Sequence, residues 1–207
     1  MPKIVDHDQY RQELLSKCLD VIAEKGYASI TMRQIAAGLQ VSTGTLYHYF
    51  PSKERLFDQL VEYISYQDTA EETIATLKQL PTRAERLEAM FNFVAEREEY
   101  FLRQTLMLLD FSRQKSRVAI NQHEALRRAG ERYEKALMQV LEIDDPGLVI
   151  LIMNLFDGLI VRRLYQGDRI CFKRQTQVIQ EMLTTYFTAL TRSGELQNLT
   201  PQPRIGL

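Results

Sequence analysis

Cysteine is scarce in this 207-residue chain: Cys18 and Cys171 stand far apart, with no CxxC pair. That excludes a disulfide-stapled scaffold and fits reduced thiols in a cytoplasmic protein. The opening MPKIVDHDQY lacks the basic and apolar regions of a secretion signal, so a cytoplasmic location is expected. Asn198-Leu199-Thr200 is then a chance match to the glycosylation pattern. Long apolar runs are missing too. The most apolar stretch, Leu148–Leu155 continuing to Val161, is interrupted by Asn154 and Asp157 and falls short of the roughly 20 residues a membrane span needs. Net charge is close to nil, −1 from 26 Lys+Arg against 27 Asp+Glu, so bulk electrostatics points to no polyanionic partner. Any such surface must come from local placement of charge. There is no G-x-S-x-G, no glycine-rich phosphate loop, and no Cys or His at ligand spacing from His7 or His123. No catalytic centre, metal site or cofactor is therefore expected.

What the chain does have is helix punctuation. Leu15, Cys18, Leu19 and Ile22 recur at i, i+3, i+4 and i+7, predicting a first helix from about Asp8 to Lys25 with Gly26 as its stop. Thr31 and Gln34 form a capping box for a short second helix ending near Leu39. Ser42 caps a third through Phe50, and Pro51 ends it. Ser52 starts a fourth, with Leu56, Phe57, Leu60, Val61 and Ile64 on its apolar side, running to about residue 79. Pro81 breaks the chain and Thr82 with Glu85 caps again. Arg83–Arg113 reads as one or two helices, and Ser116–Glu142 as a long one. Asp145-Pro146 opens a helix to about Gln166, and Phe172–Arg192 forms the last, followed by an irregular tail. No strand alternation and no internal repeat occur. The fold class is all-α, with about nine helices.

The second and third helices make a helix-turn-helix candidate. Ile35, Leu39, Val41, Leu46 and Phe50 fall where two short helices pack on each other and on the first. Leu46 and Phe50, four apart, point inward together, which sends Arg33, Thr43, Tyr47 and His48 outward. Hydroxyls and an imidazole can donate to phosphate oxygens, methyls and rings can meet thymine methyls, and Arg33 can read a guanine bidentately. Gly44 near the helix start allows close backbone approach, and Lys53 at the start of the next helix can take a phosphate.

Residues Thr31–Leu60, TMRQIAAGLQVSTGTLYHYFPSKERLFDQL, closely resemble the DNA-binding segment of the TetR family of bacterial regulators. Ile35-Ala36, Val41-Ser42, Gly44-Thr45-Leu46-Tyr47, Tyr49-Phe50 and Ser52-Lys53-Glu54 carry the likeness. The resemblance implies a DNA-binding domain over residues 1–52 and a helical regulatory and dimerisation domain over 53–207, linked by the fourth helix. It implies a homodimer on a near-palindromic operator in double-stranded DNA, released by a small-molecule effector. By motif position, Arg33, Thr43, Gly44, Tyr47 and His48 match base or near-base contacts, and Thr45, Tyr49 and Lys53 match phosphate contacts. One departure stands out: Gln40 occupies a turn position where the family usually has glycine.

Downstream the residues say less. Met90, Phe93, Phe101, Met107 and Phe111 form a stripe that reads as core or as a ligand cavity, joined by Met153 and by the polar Arg103, His123, Asn154 and Asp157 as candidate ligand contacts. Val149, Ile152, Phe156, Leu159 and Ile160 on one helix, with Ile179, Met182, Leu183, Tyr186 and Leu190 on the next, could form a four-helix dimer interface or pack within the chain. Two other readings remain open: an all-helical small-molecule-binding protein or enzyme that does not bind DNA, and a constitutive architectural DNA-binding protein. The missing catalytic motifs count against the first and the neutral charge against the second.

Overall fold

The computed structural model describes residues 6–193, the side chains of the last four excepted. The tail expected to be irregular, and the side chain of Leu190, lie outside the described residues. Among these, eleven α-helices and one 3-10 turn occur, and no strand. In chain order they are α1 (His7–Lys25), α2 (Met32–Gly38), α3 (Thr43–Tyr49), α4 (Lys53–Asp68), α5 (Glu71–Lys78), α6 (Arg83–Glu96), α7 (Glu98–Ser112), α8 (Arg117–Asn121), α9 (Glu124–Leu141), α10 (Pro146–Gln166), the 3-10 turn Gly167–Arg169, and α11 (Phe172–Ser193).

Two helix boundaries differ from expectation, and the stretch 83–113, read as one or two helices, forms two. The fourth helix ends at Asp68, where Thr69 turns both its N–H and its hydroxyl back onto the Ser65 carbonyl. The stretch 83–113 breaks at Arg97, whose N–H reaches only to Val94. The stretch 116–142 divides at His123, whose N–H closes a turn on Ile120. In each case side-chain or three-residue bonding satisfies the backbone locally, which periodicity cannot show.

The described residues form two compact units, 6–69 with 99–132, and 70–98 with 133–193. The first unit is built on aromatic packing. Phe57 and Phe111 stack with centroids 3.8 Å apart, and Tyr27 meets both rings at 5.1 and 5.3 Å. Cys18 is buried in this core, and burial pushes its thiol up to about 12. Here α4 is fixed by polar contacts along its outer half: Glu62 pairs with Arg128 (2.6 Å) and Arg132 (2.9 Å), and Asp68 accepts from the Tyr100 hydroxyl and the Gln104 amide.

In the second unit, Leu87 and Phe91 of α6 pack with Leu137, Val140 and Leu141 of α9, Val149 and Ile152 of α10, and Leu183 and Phe187 of α11. The end of α9 is closed from α6. Arg83 donates to the Leu141 and Glu142 carbonyls, and Arg86 donates to Val140 while pairing with the Glu142 carboxylate at 2.9 Å. Cationic donors at a helix C-terminus satisfy carbonyls that have no partner within the helix.

Candidate nucleic-acid interface

The turn between α2 and α3 sets the geometry of this surface. Val41 N–H donates to the Ala36 carbonyl and Gln40 N–H to that of Ala37, the paired bonds of a Schellman cap. Such a cap needs a left-handed residue, and Gln40 supplies it at φ 58°. The departure from glycine is thus a strained position, worth roughly 1–2 kcal/mol, and the turn forms in spite of it. On the other side, α2 approaches α1 so closely that a Cβ at Gly38 would stand 2.7 Å from Val21 Cγ1. Only glycine fits there without displacing a stiff β-branched side chain.

α3 is seated by Leu46 and Phe50, both without exposed surface, and capped by Ser42, whose oxygen accepts the Thr45 N–H at 2.9 Å. Thr45 Oγ1 sits 2.8 Å from the same Ser42 oxygen, so its hydroxyl is engaged in the cap. Outward stand Tyr47, 48% exposed, His48, Gly44 and the half-exposed Thr43, with exposed Arg33 on α2. Arg33 and Tyr47 make no hydrogen bond or ion pair among the described residues, so their polar groups are available. The space a Cβ would take at Gly44 is open, which leaves the backbone at the start of α3 approachable.

Two residues expected at the DNA surface are placed otherwise. Tyr49 is buried rather than outward: its ring packs 5.4 Å from Tyr10 and 5.0 Å from His48, and its hydroxyl lies 2.8 Å from His7 Nδ1. The reason is helical geometry. Tyr49 lies three residues after Leu46 and so shares the inner side, where α1 covers it. Lys53 is half-buried, and its ammonium donates to the carbonyls of Tyr27 (2.9 Å), Ile30 (3.0 Å) and Ala28 (3.4 Å) while lying 4.7 Å from the Tyr27 ring. It fixes the turn between α1 and α2, whose carbonyls would otherwise lack donors.

The expected ligand contacts are divided between the two units. Met107 and Phe111 belong to the first core, Phe101 packs edge-on to Tyr100, and Arg103 pairs with Asp20 and Glu99. His123 packs edge-on to Phe57 and Phe111, with Nε2 3.3 Å from the Asp58 carboxylate. Met90 and Met153 pack against the second core, and Phe93 lies under Arg97 at 4.2 Å. Asn154 and Asp157 are exposed on α10.

The expected interface residues need correcting as well. Val149, Ile152, Leu159, Ile160 and Leu183 are buried within the chain, and Phe156 stacks on Phe91 at 4.4 Å; Ile179 packs against the second core. The exposed apolar residues lie on other sides of the same helices: Ile150, Leu151 and Tyr165 of α10, and Val178, Met182 and Tyr186 of α11. Among the described residues of the expected set, Met182 and Tyr186 are the exposed ones. α10 is apolar nearly all round, so periodicity could not separate its inner from its outer side. The second unit also holds an open groove of about 550 Å³, lined among others by Asn92, Glu98, Arg163, Cys171 and Lys173, where Arg163 pairs with Glu98 and Asp168. Among the described residues no helix is long and apolar enough to cross a membrane.

Residues 14–60 match the sequence profile described as bacterial regulatory proteins, tetR family. The chain is 32% identical over 106 residues to the HTH-type transcriptional repressor KstR2 of Mycobacterium tuberculosis, 48% of this chain and 50% of that protein. The match thus spans about half the length of that relative. It is 29% identical over 177 residues to the HTH-type transcriptional regulator CymR of Pseudomonas putida, 78% of this chain and 83% of that one. Among solved structures, the fatty acid degradation regulator FadR of Bacillus halodurans superposes with a TM-score of 0.68 at 18% identity, over 86% of this chain and 96% of that one. The fold is shared with it.

Proposed function

We propose, from the premise that this chain belongs to the TetR family of bacterial regulators, that it is a homodimeric, sequence-specific DNA-binding repressor released from its operator by a small molecule. The outer side of α3 carries this reading: Thr43, Gly44, Tyr47 and His48 stand clear of the core beside Arg33, while Leu46 and Phe50 hold the helix down. Donors, a methyl and an aromatic ring on one short helix suit a major groove, whose base edges present acceptors and thymine methyls. Neutral net charge is no obstacle, because the reading residues are few and local.

Two copies are proposed to join through the exposed apolar sides of α10 and α11, with Met182 and Tyr186 near the middle of the latter. Two α3 helices bound to successive major grooves would stand about 34–36 Å apart. The proposed effector acts as any allosteric ligand must, by binding more tightly to the arrangement that does not match DNA. α4 ends at Asp68. α9 is unbroken from Glu124 to Leu141, and its Arg128 and Arg132 pair with Glu62 of α4.

Selection of duplexes from a random pool tests the reading. The expected result is an enriched two-half-site sequence, bound as a dimer and competed poorly by a scrambled duplex. Arg33→Ala should cost about 1–3 kcal/mol on that sequence and relax its selectivity. No enrichment over the scrambled duplex would overturn it.

A further inference from the structure

The start of α1 meets the end of α3 through side chains that the DNA reading does not use. His7 Nδ1 lies 2.8 Å from the Tyr49 hydroxyl, which fixes the imidazole in place although the residue itself is exposed. The ring centroids of His7 and His48 are 5.9 Å apart, and His48 stands on the outer side of α3. Two imidazoles therefore sit side by side at the rim of the proposed interface.

The charges facing them do not favour an anion while both rings are neutral. Asp6 accepts the Asp8 and Gln9 N–H groups, Asp8 pairs with Arg11 at 2.8 Å, and the Arg11 guanidinium stands 5.9 Å over the Tyr49 ring. On α3, Tyr49 and His48 face His7, and neither supplies a fixed positive charge. Among the described residues, the start of α1 thus carries two carboxylates and one guanidinium. A proton on each imidazole adds two positive charges beside them. The Tyr49 contact survives the change: its hydroxyl donates to a neutral Nδ1, and its oxygen accepts from a protonated one. In the second state Nδ1 is occupied by Tyr49, which leaves Nε2–H as the remaining ring donor.

Resting on the DNA-binding reading, we infer that His7, seated by Tyr49, is a further phosphate-contacting residue, and that the His7–His48 pair takes up protons when DNA binds. The sign follows from linkage. A phosphate beside an imidazole favours its charged form, so binding is strengthened at low pH and the gain is lost as pH rises through the imidazole range. Each proton taken up changes affinity by at most about tenfold per pH unit. A phosphate contact carries no sequence information, so the share of the effect that His7 supplies is the same in kind on specific and scrambled duplexes.

Binding of the full chain to a selected duplex and to a scrambled one, from pH 8 to pH 6 at fixed salt, tests this. For the parent, affinity should rise at least about fivefold on both duplexes as the imidazoles charge. His7→Gln should lose about half of that rise while keeping its preference for the selected sequence. His7→Gln with His48→Gln should leave a flat profile. Tyr49→Phe, which keeps the ring of His7 but removes its seat, should weaken binding at pH 6 by about threefold on both duplexes, a loss that disappears in the His7→Gln background. At pH 6, His7→Gln should also lower the dependence of affinity on salt, as expected for one fewer cationic contact. A His7→Gln profile superimposable on the parent's in pH slope and salt slope would overturn the inference while leaving the DNA reading intact. A parent that binds neither duplex at any pH would instead overturn the reading on which it rests.

Discussion

The exposed side of α3 in the first unit is polar and aromatic, with Thr43, Tyr47 and His48, and its inner side is closed by Leu46, Tyr49 and Phe50. In the second unit the exposed sides of α10 and α11, the two longest helices, keep Ile150, Leu151, Tyr165, Val178, Met182 and Tyr186 in water. A seven-residue helix cannot hold itself together, so its stability comes from the residues that anchor it and its outer side is free to vary. α10 and α11 already bury one side in the second core, and leaving apolar area exposed on their other sides has a cost that only an apolar partner removes. On the proposed reading, the first surface meets DNA and the second meets another copy of the chain.

The contrast can be broken at several points. Phe50→Ala removes the anchor of α3 from a site with no exposed surface and should cost about 3–5 kcal/mol, read as a lowered denaturation midpoint of the full chain. Met182→Glu with Tyr186→Glu should leave the fold intact and weaken self-association by about 2–4 kcal/mol in sedimentation, since charges would then face each other across an apolar contact. A dimer unchanged by that pair would move the interface elsewhere. Lys53→Met should lower stability by about 1.5–3 kcal/mol, because three turn carbonyls lose a charged donor. If the variant keeps its stability and loses only affinity for DNA, Lys53 is a phosphate contact after all. The smallest effect is expected at Gln40, where glycine should raise stability by up to about 1 kcal/mol, relief of strain being partly offset by the freer unfolded chain.

Much of this was legible in the sequence, and the exceptions are physical. Thr31 with Gln34, Ser42, Ser52, Thr82 with Glu85 and Asp145 each cap a helix as local chemistry requires, because a cap depends on residues within a turn of it. The outward set Arg33, Tyr47 and His48 followed from i, i+4 spacing around Leu46 and Phe50. Tyr49 was misplaced because its cover is α1, forty residues earlier, and no local pattern announces His7 or Tyr10 as its neighbours. Lys53 was read as a surface cation because its partners are backbone carbonyls, which have no sequence signature. Asn154 and Asp157 were read as candidate ligand contacts because an apolar helix offers no polar side to compare them with, and they lie on the exposed stripe beside Ile150 and Leu151.

The most direct test compares the parent with Tyr47→Ala on a duplex enriched from a random pool and on its scrambled counterpart, at one salt concentration, with the oligomeric state followed in parallel. The parent should bind the enriched duplex as a dimer with at least about a thousandfold preference, as specific DNA-binding proteins do. Tyr47→Ala should lose most of that preference while remaining dimeric and folded. A parent that treats both duplexes alike, or a Tyr47→Ala variant that discriminates as well as the parent, would contradict the assignment of α3 as the element that reads DNA.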